Sequence, residues 1–463
     1  MDGVKSYFKK HHLSPYLLVI LSFFFIIVLG AFLLDLPISN KSGNWGEFIN
    51  TFYMATSATC VTGYDIYADG MINTYTLFGQ IIMAIMIQIG GLGFLTVLVF
   101  FITTFRRNVS FKDRAFMSQA VNSDSIAEVA KFVRKLLLST LIIELIGFLL
   151  GLPVFFAVYE NKGEAIWGSI FLSISAFNNA GFDLFGNGSL IRGLGTVCDR
   201  MPDWAYHYML GYTMVLIVLG GISFLVIMDI FPFKKKPSQW RAFTKISLAM
   251  TVILILAGWG LLMLTDCIKP DHNITPLDAL YQSISSRTAG FSTYDPYYLS
   301  VGGRIITCVL MFIGGAPLGT ASGIKTTTVF ILITTIYCYL RGKKSHAFNR
   351  YFSKTMFIKA TFVTLLSIFI VLIGYFSLVM FEQNSNPFFS GEHAVFETIS
   401  SFSTTGYTTA LTINLSIGGK ITCSVLMFLG RLGPMTFFQI ISNNMDKSVK
   451  TKYNYVEEEI LIG

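Results

Sequence analysis

The chain has 463 residues, 53% of them hydrophobic and only 13% charged, with a mean hydropathy of +0.62 and a net charge of +8. Soluble domains carry about twice that charged fraction, so the composition excludes a soluble enzyme and predicts an all-α polytopic membrane protein. The six cysteines form no CxxC pair and the six histidines no metal-ligand spacing, which argues against a zinc site or a disulfide framework.

Lys5, Lys9 and Lys10 precede an apolar run without an A-x-A cleavage site, so the first run reads as an uncleaved span. Full spans are predicted near 15–34, 74–102, 133–158, 206–231, 244–266, 302–340, 355–381 and 419–442. Shorter helices are predicted between the members of each pair, at 46–58, 164–177, 276–286 and 391–402. These are too short to cross a hydrocarbon core of about 30 Å. They read as half-helices that enter the membrane and stop, and each begins near an acid: Glu47, Glu164, Asp278 and Glu392. An acid suits the positive end of a helix dipole, and the opposite end then favours a cation.

A short stretch follows each half-helix: Cys60-Val61-Thr62-Gly63, Asn178-Asn179-Ala180-Gly181, Arg287-Thr288-Ala289-Gly290 and Ser403-Thr404-Thr405-Gly406. An aromatic residue comes next in every case, Tyr64, Phe182, Phe291 and Tyr407, and the glycines stand 118, 109 and 116 residues apart. Self-similarity at that period predicts four copies of one module, with boundaries at 1–105, 106–233, 234–342 and 343–446 and a tail at 447–463. Glycine adopts φ > 0 at little cost, and backbone carbonyls turned to a common axis form a site for a dehydrated cation. Four copies can close such a ring with pseudo-fourfold symmetry.

The second long helix of each module carries its own mark: Gly90-Gly91, Gly220-Gly221, Gly314-Gly315 and Gly430-Arg431. The paired glycines suit close helix packing or bending. Arg431 puts a cation at the symmetric position, where a charge is expensive in lipid and faces a cavity. The third module has a further break. The run from Gly314-Gly315 through Pro317, Gly319 and Gly323 to Lys325 predicts a broken helix with an intramembrane loop that could act as a plug. It is not a phosphate loop, because Ile324 separates Gly323 from Lys325 and no strand precedes it. Glu144, in the third span, reads as a lone acid with a packing or headgroup role.

Of the 34 Lys and Arg residues, 24 fall at 1–14, 103–135, 234–245, 341–359 and from Lys447 onward. By the positive-inside rule that side is cytoplasmic, with both termini inside and the tetrapeptides entering from outside. All four modules then face the same way. This speaks against an ion-coupled secondary transporter built from inverted repeats, which remains the alternative reading.

Taken together, the tetrapeptides, Arg431 and the Gly-rich break before Lys325 resemble the Trk/Ktr/HKT superfamily of potassium transporters, most nearly the bacterial Ktr-type membrane subunit. The resemblance covers essentially the whole chain. One departure is Ala321-Ser322-Gly323, less rich in glycine than the family's loop. The resemblance implies four fused units of helix, pore helix, filter loop and helix around one pore, with selectivity glycines at Gly63, Gly181, Gly290 and Gly406. It also implies a gate built from residues 314–326 and Arg431. Potassium is the implied cargo, sodium dependence stays open, and no organic cofactor and no nucleic acid is expected. The implied setting is a bacterial plasma membrane, with a homodimer seated on a cytosolic ring that binds ATP or ADP.

Overall fold

A computed structural model of the chain describes residues 15–93, 126–186, 190–192, 197–230, 236–267, 274–409 and 411–434. The order of a long helix, a short helix and a second helix recurs four times. The first stretch has α1 (Pro15–Asp35), α2 (Phe48–Cys60) and α3 (Leu77–Leu92). The second has α4 (Ile126–Val158), α5 (Lys162–Asn178), α6 (Asp203–Gly221) and α7 (Phe224–Ile230). The third has α8 (Ala242–Leu262), α9 (Pro276–Ser285), α10 (Val301–Phe312) and α11 (Thr326–Leu340). The fourth has α12 (Lys354–Glu382), α13 (Gly391–Ser403) and α14 (Ile417–Leu432). Two-residue strands, β1 (His346–Ala347) and β2 (Arg350–Tyr351), pair antiparallel between α11 and α12. They are joined through Phe348 and Asn349, both at positive φ.

The four short helices span 13, 17, 10 and 13 residues, or about 15–25 Å at ~1.5 Å per residue. They match the predicted half-helices to within two residues at either end. Their faces are buried although their hydroxyl content is high, as in Thr51, Thr56, Ser57 and Thr59 of α2. Several of those hydroxyls turn back onto the helix itself: Thr56 Oγ1 donates to Phe52 O at 2.8 Å and Thr398 Oγ1 to Ala394 O at 2.6 Å. Such internal bonds remove most of the cost of a buried hydroxyl. In α9, Thr275 and Asp278 form a reciprocal capping box, which anchors the helix start.

Among the described residues, three helices are long and apolar enough to cross a membrane, at 131–158, 242–267 and 354–382, and the bent pair α6–α7 is a fourth where the pair counts as one span. Most of the difference from the eight expected spans lies in the second helices. Each stops at its glycine mark: α3 ends before Gly93, α6 before Ile222, α10 before Ile313 and α14 before Gly433. Gly93 and Gly433 have φ of 76° and 81°, a conformation that ends a helix and that glycine tolerates. The span expected at 206–231 instead turns by 101° between α6 and α7. In the third stretch α10 and α11 are separate helices, as the sequence predicts. The continuations expected at 94–102 and 435–442, most of the basic connection at 103–135, and both termini lie outside the described residues.

The glycine marks also set how closely the second helices approach the half-helices. A methyl group built on Gly90 would run into Thr59 O, one on Gly220 into Phe177 O, and one on Gly430 into Phe402 O. Thr59, Phe177 and Phe402 each stand four residues before the tetrapeptide glycine, so one backbone contact is made three times. In the third stretch the partner of Gly314 is instead Ser322 O of the intervening loop. Gly220→Ala and Gly430→Ala should therefore each cost about 1–3 kcal/mol through overpacking. Gly211 and Gly260 have open space where a Cβ would sit, so alanine there should stabilise by up to about 1 kcal/mol through helix propensity. Thermal unfolding of the purified variants in detergent checks both signs.

Candidate functional site

All four tetrapeptides leave their half-helices in the same way. The residue two before each glycine is left-handed although it is not glycine: Val61 at φ 59°, Asn179 at 59°, Thr288 at 69° and Thr404 at 52°. The glycines follow at φ 98°, 72°, 80° and 86° for Gly63, Gly181, Gly290 and Gly406. The left-handed residues are held by bonds to the last helical turn. Thr62 N donates to Ser57 O at 2.8 Å, Ala180 N to Ser175 O at 2.8 Å and Thr405 N to Ser400 O at 2.9 Å. Left-handed backbone costs a non-glycine residue about 1 kcal/mol or more, and it recurs in all four copies.

The four glycines meet one another in a closed order. A Cβ on Gly63 would lie 2.6 Å from Ala180 O and 2.9 Å from Gly181 Cα. One on Gly181 would lie 2.8 Å from Ala289 O and 3.1 Å from Gly290 Cα. A Cβ on Gly290 would strike Thr405 O, and one on Gly406 would strike Thr62 O and come 3.0 Å from Gly63 C. Segments more than a hundred residues apart therefore form one ring of backbone that admits no side chain.

The aromatic residues, with Asn178 and Arg287 among the first tetrapeptide residues, brace the ring from behind. Tyr64, Phe182, Phe291 and Tyr407 are buried. Ser57 Oγ donates to Tyr64 O at 3.0 Å and Ser285 Oγ to Phe291 O at 2.6 Å. The Tyr64 hydroxyl donates to Glu397 O at 3.1 Å and the Tyr407 hydroxyl to Phe291 O at 2.9 Å, so each tyrosine ties its own stretch to a neighbouring one. The first residues differ in chemistry. Cys60 is a buried free thiol. Asn178 Nδ2 donates to Glu144 Oε1 at 2.9 Å and to Gln88 Oε1 at 3.1 Å. Arg287 Nη2 donates to Gly314 O at 3.3 Å, and Ser403 Oγ to Ile399 O at 2.7 Å. Glu144, expected to stand alone, thus braces the second tetrapeptide. Glu397, which the sequence analysis did not single out, accepts from Thr412 Oγ1 inside α13. An acid within a half-helix was the available signal.

The loop between α10 and α11 lies against this ring. Its backbone is bonded into the break of the second stretch: Ala316 N donates to Gly221 O and Thr320 N to Gly220 O, both at 3.1 Å, and Phe224 N donates to Leu318 O at 3.1 Å. The carbonyls and amide left over at one helix break are satisfied by the other. Ser322 N donates to Thr288 Oγ1 at 3.2 Å, which ties the loop to the third tetrapeptide. Gly314, Gly315 and Gly319 all sit where a Cβ would strike or press on backbone, and Gly323 has φ 69°. Lys325 Nζ turns back onto Ala321 O at 2.7 Å. Arg431 closes the arrangement. Its guanidinium donates to Thr320 O and, at 3.0 Å, to Ser322 Oγ of the loop, and to Gly90 O at the end of α3. The predicted site residues are therefore brought together around one centre, with the loop and Arg431 on the side where the second helices stop. Among the described residues no group of three or more His, Cys, Asp or Glu could hold a metal ion.

This arrangement has relatives. Residues 14–451 match the family model described as TrkH, cation transport protein. The chain is 34% identical over 463 residues to the Ktr system potassium uptake protein B of Bacillus subtilis, covering 97% of both chains. It is 32% identical over 468 residues to the potassium/sodium uptake protein NtpJ of Enterococcus hirae, covering 98% of both. The crystal structure of the potassium transporter TrkH from Vibrio parahaemolyticus shares the fold, with a TM-score of 0.67 at 17% identity over 93% of this chain and 86% of that one. A four-times-repeated helix and half-helix order, a ring of four glycines and a whole-chain match agree: the chain belongs to the TrkH family of cation transport proteins.

Proposed function

We propose that the chain takes up potassium across a bacterial plasma membrane through a gated, channel-like pore formed by four fused modules with pseudo-fourfold symmetry. The observation that carries this reading is the closed ring of Gly63, Gly181, Gly290 and Gly406, each preceded two residues earlier by left-handed backbone. In an extended strand successive carbonyls point to opposite sides. A left-handed residue at every other position turns them to the same side. Four such strands give stacked rings of carbonyl oxygens that can replace a hydration shell. The relatives named for potassium and for potassium/sodium uptake support the cargo, with sodium as the ion to test for coupling. The protein is not an enzyme.

The purified chain in liposomes under defined potassium and sodium gradients tests the reading. Potassium should pass in preference to sodium, and equal passage of both would overturn it. Serine at Gly63 or Gly290 meets carbonyl oxygen and needs a positive φ. Gly63→Ser and Gly290→Ser should therefore lower potassium over sodium selectivity about tenfold while leaving expression intact. Unchanged ion preference would remove the ring from the role of filter.

The loop at 313–325 and Arg431 are read as the barrier beneath the filter, with a fixed positive charge and a plug in the same place. Arg431→Ala removes both the charge and the bonds to Thr320, Ser322 and Gly90. It should raise potassium flux, as should deletion of several loop residues. If both variants fold and conduct less than the parent, the barrier role fails.

Opening such a barrier requires differential binding energy from outside the pore. The basic connections of the inner side, including Arg341, Lys343, Lys344, Arg350 and Lys354 around the β1–β2 hairpin, offer a surface for a cytosolic ring that binds adenine nucleotides, under a homodimer of this chain. Co-purification with such a ring should make flux depend on ATP or ADP. Nucleotide-independent flux from the chain alone, with no stable complex, would overturn the regulatory part while leaving the pore.

A further inference from the structure

Two large grooves open on the outer face of the helices, and they differ in one respect. The first, about 600 Å³, lies between α12 and α14 and carries no charged group. Its few polar groups are internally satisfied, as Ser377 Oγ and Thr422 Oγ1 bond each other at 2.9 Å. The second, about 560 Å³, lies where the third and fourth stretches meet, between α10, α12 and α13. Its walls include Ile305, Val309, Leu372 and Val395, all exposed. Its rim carries the ion pair of Arg304 Nε and Glu392 Oε1 at 2.7 Å. Its floor is Phe312 and Ile313, the last residue of α10 and the first of the loop.

We propose that this second groove is a binding site for one phospholipid with a zwitterionic headgroup, of the phosphatidylethanolamine class. The inference rests on the membrane orientation of the pore reading. The rim supplies the charge complementarity. Arg304 uses Nε on Glu392 and Nη1 on Tyr297 O at 3.0 Å. Among the described residues, neither Arg304 Nη2 nor Glu392 Oε2 makes a hydrogen bond. One uncommitted cationic donor beside one uncommitted carboxylate oxygen matches a phosphate beside an ammonium. An anionic headgroup with no ammonium would leave the carboxylate facing negative charge.

The depth matches as well. From Arg304 to Phe312 the helix rises about 12 Å at ~1.5 Å per residue, close to half of the ~30 Å hydrocarbon core. A headgroup at the rim therefore puts an acyl chain down to mid-membrane, the length of one leaflet. The volume falls within the ~300–1,000 Å³ range of small-molecule sites. The chain end would rest on Ile313, which bridges to Ile324 at the other end of the loop. The lipid would thus pack against the hinge from which the loop departs.

Native mass spectrometry of the full chain, taken from vesicles of equal phosphatidylethanolamine and phosphatidylglycerol, tests the site. The parent should retain one phosphatidylethanolamine per chain after detergent exchange. Arg304→Ala and the groove-filling Val309→Trp should each lower retention about fivefold, whereas Ile421→Trp, which fills the apolar groove, should leave it unchanged. Should Val309→Trp fail to fold, Glu392→Gln preserves the shape and should shift the retained lipid toward phosphatidylglycerol. Equal retention in all variants, equal loss with Ile421→Trp, or an unchanged lipid ratio in Glu392→Gln would overturn the proposal. Potassium flux into the same vesicles keeps the two readings apart. Flux without retained lipid fails the lipid site alone, and retained lipid without flux fails the pore alone.

Discussion

The structure depends on backbone approaching backbone with no side chain between. At the foot of three half-helices the glycine of a second helix lies against a carbonyl: Gly90 on Thr59, Gly220 on Phe177, Gly430 on Phe402. One turn further on, the four tetrapeptide glycines lie against one another. Neither contact survives a methyl group. Elsewhere in the core bulky side chains set the spacing, as with Tyr53, Phe171, Phe177 and Phe396, all fully buried. Around the ring the spacing is set by the absence of a side chain, so the centre is narrow and lined by peptide groups.

That choice leaves polar backbone at depth, where it cannot stay unsatisfied. The second helices stop early and each stop frees carbonyls. In the second stretch the freed carbonyls of Gly220 and Gly221 accept from the loop at Thr320 and Ala316. At the end of α3, Gly90 O accepts from Arg431. A single arginine therefore serves two backbone carbonyls, Gly90 O and Thr320 O. Removing it would leave Thr320 O of the loop without that donor and Gly90 O with only the Gly93 amide, in addition to removing a charge. Breaks, loop and arginine form one hydrogen-bonded unit.

The four stretches share a path and differ in how it is braced. Thiol, amide, guanidinium and hydroxyl stand at the first tetrapeptide position in Cys60, Asn178, Arg287 and Ser403. Each but the cysteine hands a hydrogen bond to a different element: α4 and α3 for Asn178, the loop for Arg287, its own helix for Ser403. The four stretches are free to differ in this way, because each position is occupied once rather than four times. The loop exists in the third stretch alone among the described residues. Its bonds reach the second stretch through Gly220 and Gly221 and the third through Thr288. Through Arg431 they reach the fourth and first.

The sequence by itself determined the class of the fold, the four half-helices to within two residues, the break before Lys325 and the residues that meet at the centre. Those features are local: hydropathy, length, and glycine or proline at fixed offsets act within one stretch of chain. Tertiary structure alone decided that the second helices all end at their glycine marks, since Gly-Gly reads equally well as packing or as a break. It also decided that Val61, Asn179, Thr288 and Thr404 are left-handed, a strain that no propensity predicts and that the last helical turn holds in place. Glu144 shows the same limit. Its carboxylate accepts from Asn178, 34 residues away, whose amide also donates to Gln88 Oε1 on a third helix. A buried carboxylate finds such donors only when three helices are already packed, and no local rule ties those positions together.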